Sequence, residues 1–173
     1  MALSDEARQW MTENGLEGLL RIADAPPHGE PEQAATTIDL SEITEGAVQA
    51  LTGLQAGGLR SIEHPSNQIL FEYFGEYSIS SKAYRTQGGQ NLLFGEVARA
   101  MMEYGFVHPR PPAIPKYRAG FVIAAYEGLR VDWIHFITKG LKDAIGNLVD
   151  GKKSWAGIAQ WLTVLVPPVL PIK

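Results

Sequence analysis

Apolar positions recur at helical spacing along most of the chain, interrupted by short stretches rich in proline or glycine. Ser4 is a good N-cap, and Asp5 and Glu6 lie at the positive end of the helix dipole that follows. Trp10 and Met11 give this first helix an apolar side, and Asn14-Gly15 reads as its stop. A second helix is expected over 16–23, where Leu16, Leu19, Leu20 and Ile22 keep mostly helical spacing. Ala25-Pro26-Pro27-His28-Gly29-Glu30-Pro31 then breaks the pattern and predicts an extended linker. Between Asp39 and Gln55, residues Ile43, Ala47, Leu51 and Leu54 form one helix face, with Gly57-Gly58 as a C-terminal stop.

Ser66 precedes a dense apolar run, Ile69, Leu70, Phe71, Tyr73, Phe74 and Tyr77, which fits periods of both four and two. The Ser66 cap and the absence of a hairpin partner favour helix. Residues 77–90 are polar and read as a long loop. Asn91 caps a helix to Tyr104, with Val97, Ala98, Met101 and Met102 toward the core and Glu96, Arg99 and Glu103 toward water. His108–Pro115 has prolines at four of eight positions and predicts a stiff polyproline-like strap. The alanines of 116–128 favour helix there. Asp132 opens the clearest helix, whose stripe is Trp133, Ile134, Ile137, Leu141, Ala144, Ile145 and Leu148. Ser154 caps a last one, with Trp155, Ile158, Trp161, Leu162 and Leu165 inward and Pro167-Pro168 as its stop. The predicted fold is all-α, an irregular helical bundle with Pro-rich and Gly-rich connecting segments.

Composition narrows the function classes. The 173 residues, 45% apolar and 20% charged, suit a globular domain with a real core. With no cysteine, disulfide scaffolds, thiol catalysis and cysteine-ligated zinc are excluded. The opening residues lack a secretory pattern and no apolar run reaches the ~20 residues of a membrane span, so an intracellular protein, cytoplasmic or nuclear, is expected. The net charge of −4 hides a partition. Residues 1–76 carry thirteen acids against Arg8, Arg21 and Arg60, a net −10, while 77–173 carry six acids and twelve bases, a net +6. This suggests an acidic helical arm or subdomain over 1–60 beside a basic helical core domain over 61–173. The two parts can neutralise each other within one chain, meet head to tail between copies, or leave the basic part for phosphates.

The candidate nucleic-acid contacts are Lys82, Tyr84, Arg85, Arg99, Arg110, Lys116 and Arg118. Bases near the aromatics Phe71, Tyr73, Phe74 and Tyr77 suit single strands, where rings stack on bases while cations hold phosphates. Gly146–Lys153 approaches a phosphate-binding loop, but Lys153 occupies the hydroxyl position and no buried strand precedes it. Asp132 and His135, three apart, offer a carboxylate–imidazole pair for a small hydrolase, although Asp132 is also the natural cap of its helix. His28, His64, His108 and His135 lack the spacing of a metal motif, and no metal or cofactor is expected.

From Asn91 to Val166 the order is helix, proline strap, Tyr117-Arg118-Ala119-Gly120-Phe121-Val122-Ile123-Ala124-Ala125-Tyr126-Glu127-Gly128-Leu129-Arg130-Val131-Asp132-Trp133, then a long helix, a lysine turn and a Trp/Leu helix ending in proline. This resembles the helical domain of plant retroelement-derived proteins, the plant transposon protein group. The resemblance covers about 76 residues and implies a helical architecture in a mobile-element context; no zinc knuckle accompanies it. Together these features predict a self-associating helical protein, capsid-like or nucleoprotein-like, that contacts nucleic acid through its basic segment. The alternatives are an adaptor read through the strap 108–115 or the tail 167–173, and a hydrolase using Asp132 and His135.

Overall fold

The Ser4 hydroxyl accepts from the amide of Ala7 at 3.2 Å and starts α1, Asp5–Glu13, as the cap predicts. The structure, a computed structural model, describes residues 3–74, 92–107, 116–152 and 157–166. The loop 77–90, the strap 108–115, the Ser154 cap, Trp155 and the tail 167–173 lie outside the described residues. Gly15, at φ +78°, turns the chain into α2, Glu17–Asp24. Pro31, expected in a linker, instead opens a short α3, Pro31–Thr36, because a first-turn residue needs no amide donor. The single helix expected over 39–55 is divided. Asp39 accepts from the Ser41 amide at 3.0 Å and starts a 3₁₀ turn, Leu40–Glu42. Thr44 then caps α4, Glu45–Thr52, which Gly53 ends at φ +68° rather than Gly57-Gly58. Two capping side chains five residues apart compete with a continuous helix, and both win locally.

The remaining helices are α5, Asn67–Phe74; α6, Leu92–Ala100; α7, Lys116–Tyr126; α8, Trp133–Val149; and α9, Ile158–Leu165. The fold is all-α, and the one β-type contact among the described residues is a parallel bridge between Leu59 and Val131. One cluster of buried apolar side chains runs through both sides of residue 60: Met11, Leu19, Ile22 and Val48 share it with Met101, Ile137 and Trp161. The acidic third therefore packs on its own chain. α2 lies against α4 and α9, while α3 and α4 lie against α8. The proline linker is extended but anchored, since the His28 amide donates to the Ala159 carbonyl at 3.0 Å and the Thr163 hydroxyl to that of Pro26 at 2.6 Å. Tyr73 donates to Glu127 and ties α5 to α7. That bond, with burial second, pushes the Tyr73 phenol up to about 12.

The centre of the packing is a π-helical turn, Met101–Gly105, which continues α6. The amide of Phe106 donates to the carbonyl of Met101, five residues back, at 3.0 Å. Every residue from Met101 to Val107 is buried. The wider turn changes which side chains point inward, since each added residue rotates an α-helix by about 100°. Glu103, expected to face water, is 6% exposed. Neighbouring helices reach this turn through glycine. A Cβ on Gly140 of α8 would lie 2.5 Å from the Phe106 carbonyl oxygen, and one on Gly157 would lie 2.4 Å from that of Glu103. On Gly105 it would lie 2.8 Å from the Trp133 ring.

Two stability predictions result. Gly105→Ala should lower the urea midpoint at unchanged slope, by about 1–3 kcal/mol of overpacking, whereas Gly146→Ala, open to space within α8, should raise stability by about 1 kcal/mol. For Tyr73 the folded-state value lies above the ordinary 10, so the bond to Glu127 stabilises fully below pH 10 and is lost as pH rises through about 12. The Tm difference between the wild type and Tyr73→Phe should accordingly shrink from about pH 10 to about pH 12.

Candidate functional site

Gly58, at φ +121°, lets the 57–60 segment approach the entry to α8 so closely that a Cβ there would meet the Arg130 carbonyl oxygen at 2.7 Å. The Leu59 amide donates to the Arg130 carbonyl at 2.9 Å, and the Asp132 amide donates back to Leu59 at 3.0 Å. This register sets Arg60 against Asp132, with Nε donating to Oδ2 at 2.7 Å. The other oxygen, Oδ1, accepts from the backbone amide of His135 at 3.3 Å and caps α8. Arg60 also reaches Glu45 at 3.4 Å, and His135 Nδ1 lies 3.9 Å from the same carboxylate. The hydrolase arrangement is thus not formed: Asp132 holds an arginine and a helix end, and the imidazole turns toward Glu45. The predicted spacing was right for a helix cap, which uses the backbone amide rather than the ring.

Of the candidate nucleic-acid contacts, Lys82, Tyr84, Arg85 and Arg110 lie outside the described residues. Lys116 is the first residue of α7. The Arg118 guanidinium stands 5.6 Å over the Phe106 ring, so it serves packing as well as charge. Arg99, on α6, lines a cavity. Among the aromatics, Phe74 is buried edge-on against Phe94, Tyr73 packs on the same ring, and Phe71 is 62% exposed. The residues resembling a phosphate loop begin inside α8, where 146–149 form its last turn. Among the described residues no group of histidine, aspartate and glutamate side chains is disposed to hold a metal ion.

The cavity at Arg99 has a volume of about 330 Å³. Its polar lining comes from Arg8 of α1, Asp24 of α2, Arg99 of α6, Glu103 and Tyr104 of the π turn, and Gln160 of α9. Arg8 and Asp24 form a two-bond pair at 2.8 and 2.5 Å, and this hydrogen bonding holds the Asp24 carboxyl below its ordinary range. Sequence reasoning missed this cavity because Glu103 was expected on the solvent side. A slightly larger hollow, about 360 Å³, lies where α1, α4 and α7 end at Gly15, Gly53 and Gly128. Arg130 is the one charged residue among its described lining.

No protein-family model, curated protein or solved structure matches this chain. Among the described residues, no helix is long and apolar enough to cross a membrane.

The double duty of Asp132 is measurable by substitution. Asp132→Ala should cost about 1–2 kcal/mol through loss of the cap, Asp132→Asn should cost less because it keeps a capping oxygen, and His135→Ala should stay within about 0.5 kcal/mol. Equal losses for the alanine and asparagine variants in urea melts would make the Arg60 pair, rather than the cap, the dominant contribution.

Proposed function

We propose that this chain works by association, as a capsid-like or nucleoprotein-like helical subunit that meets copies of itself and single-stranded nucleic acid. One observation supports the reading: the Arg8–Asp24, Arg60–Glu45 and Arg60–Asp132 pairs do not neutralise the partition of charge along the chain, although His135 of the basic part lies 3.9 Å from Glu45 of the acidic part. Arg8–Asp24 and Arg60–Glu45 lie within the acidic front part. Arg60–Asp132 joins the two parts, but it consumes a base of the acidic part and an acid of the basic part. These three arginine pairs leave the polarity in place. Because the acidic third packs on its own chain through apolar side chains, association would use complementary surfaces rather than exchange of an arm. The basic part would supply the nucleic-acid contacts, through Lys82, Tyr84, Arg85, Arg99, Arg110, Lys116 and Arg118. The resemblance of residues 91–166 to retroelement-derived helical domains is consistent with such a role.

Sedimentation velocity at tens of micromolar, with and without a short single-stranded oligonucleotide, tests this reading. We expect mass to grow with concentration at about 50 mM salt and to fall by about 200 mM, with oligonucleotide affinity weakening over the same range. A monomer at both salt concentrations that ignores the oligonucleotide would sink the proposal.

A further inference from the structure

We propose that the groove between α4 and the end of α9 is a docking surface for residues 167–173 of its own chain. The proposal is independent of the association argued above. The groove has a volume of about 190 Å³. It is lined by Ile43 and Val48, both buried, and by Ile38, Leu51, Leu165 and Val166. Leu51 stands on the helix face that the apolar period directs inward, yet it is 36% exposed beside this groove. The charged residues of the lining are both acids, Asp39 and Glu42. Asp39 is engaged by the amide and hydroxyl of Ser41, while the Glu42 carboxylate makes no hydrogen bond or ion pair among the described residues.

Three properties of the chain select the occupant. The first is position. Val166 caps α9 and lines the groove, so residue 167 begins one Cα step, about 3.8 Å, from the groove's own wall. Seven residues at about 3.1 Å each can reach about 20 Å, and α4 lines the same hollow. The second is composition. Pro167-Pro168-Val169-Leu170-Pro171-Ile172-Lys173 offers three aliphatic side chains to an aliphatic lining, and its one charged side chain, Lys173, is opposite in sign to Asp39 and Glu42. Its prolines carry no amide donor, so covering them leaves no N–H unpaired, and their fixed φ reduces the entropy lost on docking. The third is tethering. A segment joined to the wall of its site is present at an effective concentration in the millimolar range, so a contact too weak to capture a separate peptide holds this one. A second copy offers the same segment without that advantage. The groove also lies below the roughly 300–1,000 Å³ of small-molecule sites, which suits aliphatic side chains better than a cofactor.

Methyl NOE spectra of the full chain, isotope-labelled at its isoleucine, leucine and valine methyls, test the proposal. We expect cross-peaks joining Leu170 or Ile172 to Ile43, Val48 or Leu51. They should keep their intensity per labelled molecule when the labelled chain is mixed with an excess of unlabelled chain at constant total concentration. Loss on mixing assigns the groove to the segment of a second copy and overturns docking within one chain. Assigned groove methyls with no cross-peak to residues 167–173 overturn it as well. A second readout comes from Leu170→Asp, which places a charge in the docking segment and leaves the described fold untouched. It should shift the amide resonances of residues 42–51 and leave those of α5 and α7 in place. A groove whose resonances ignore this substitution contradicts the proposal.

Discussion

Close backbone contact at the buried turn 101–107 is the constraint from which the rest of the arrangement follows. A segment with no exposed residue must satisfy its polar backbone groups inside the protein. The Phe106 amide closes the π turn on Met101, and the indole nitrogen of Trp161 donates to the Tyr104 carbonyl at 3.1 Å. Gly140 and Gly157 let α8 and the start of α9 approach carbonyl oxygens of the same segment at distances no side chain allows. Val107, at φ +50°, holds a left-handed conformation unusual for a β-branched residue, directly against Gly140. The strain is sustained because the surrounding helices determine the path of the chain there.

Around that turn, the acidic first third is held by apolar burial rather than by charge. Met11, Leu19 and Ile22 belong to the same cluster as the residues of α8 and α9. Burying a side chain of that size contributes about 1.5–3 kcal/mol, more than an exposed ion pair supplies. Most of the charge is thereby left to the surface, Glu103 and Asp132 being buried exceptions. The proposed association draws on that surface charge.

Local chemistry was legible wherever one side chain acts on its own backbone. Ser4, Thr44 and Asp132 cap α1, α4 and α8, and Asp39 caps the short 3₁₀ turn, although only Ser4 and Asp132 were recognised as caps in advance. The stripe from Trp133 to Leu148 is buried as its 3.6-residue period requires. Pro31 was misread because a proline that breaks one helix serves equally well in the first turn of the next. The spacing of Asp132 and His135 suits a dyad and a cap alike, and the structure shows the cap that was expected, with the carboxylate accepting from the His135 backbone amide.

The all-α class and the inward faces of α2 and α8 were thus determined by the sequence itself, because capping and hydrophobic period act over a few residues, whereas on α4 Val48 and Thr52 are buried and Leu51, expected inward, is exposed. The π turn, the burial of Glu103, the Arg60–Asp132 pair across 72 positions and the cavity at Gln160 were decided only by the tertiary structure. Each depends on which segments meet across the core. A π turn differs from an α turn by a single hydrogen-bond register, and the helices packed against it, rather than any local residue pattern, select that register.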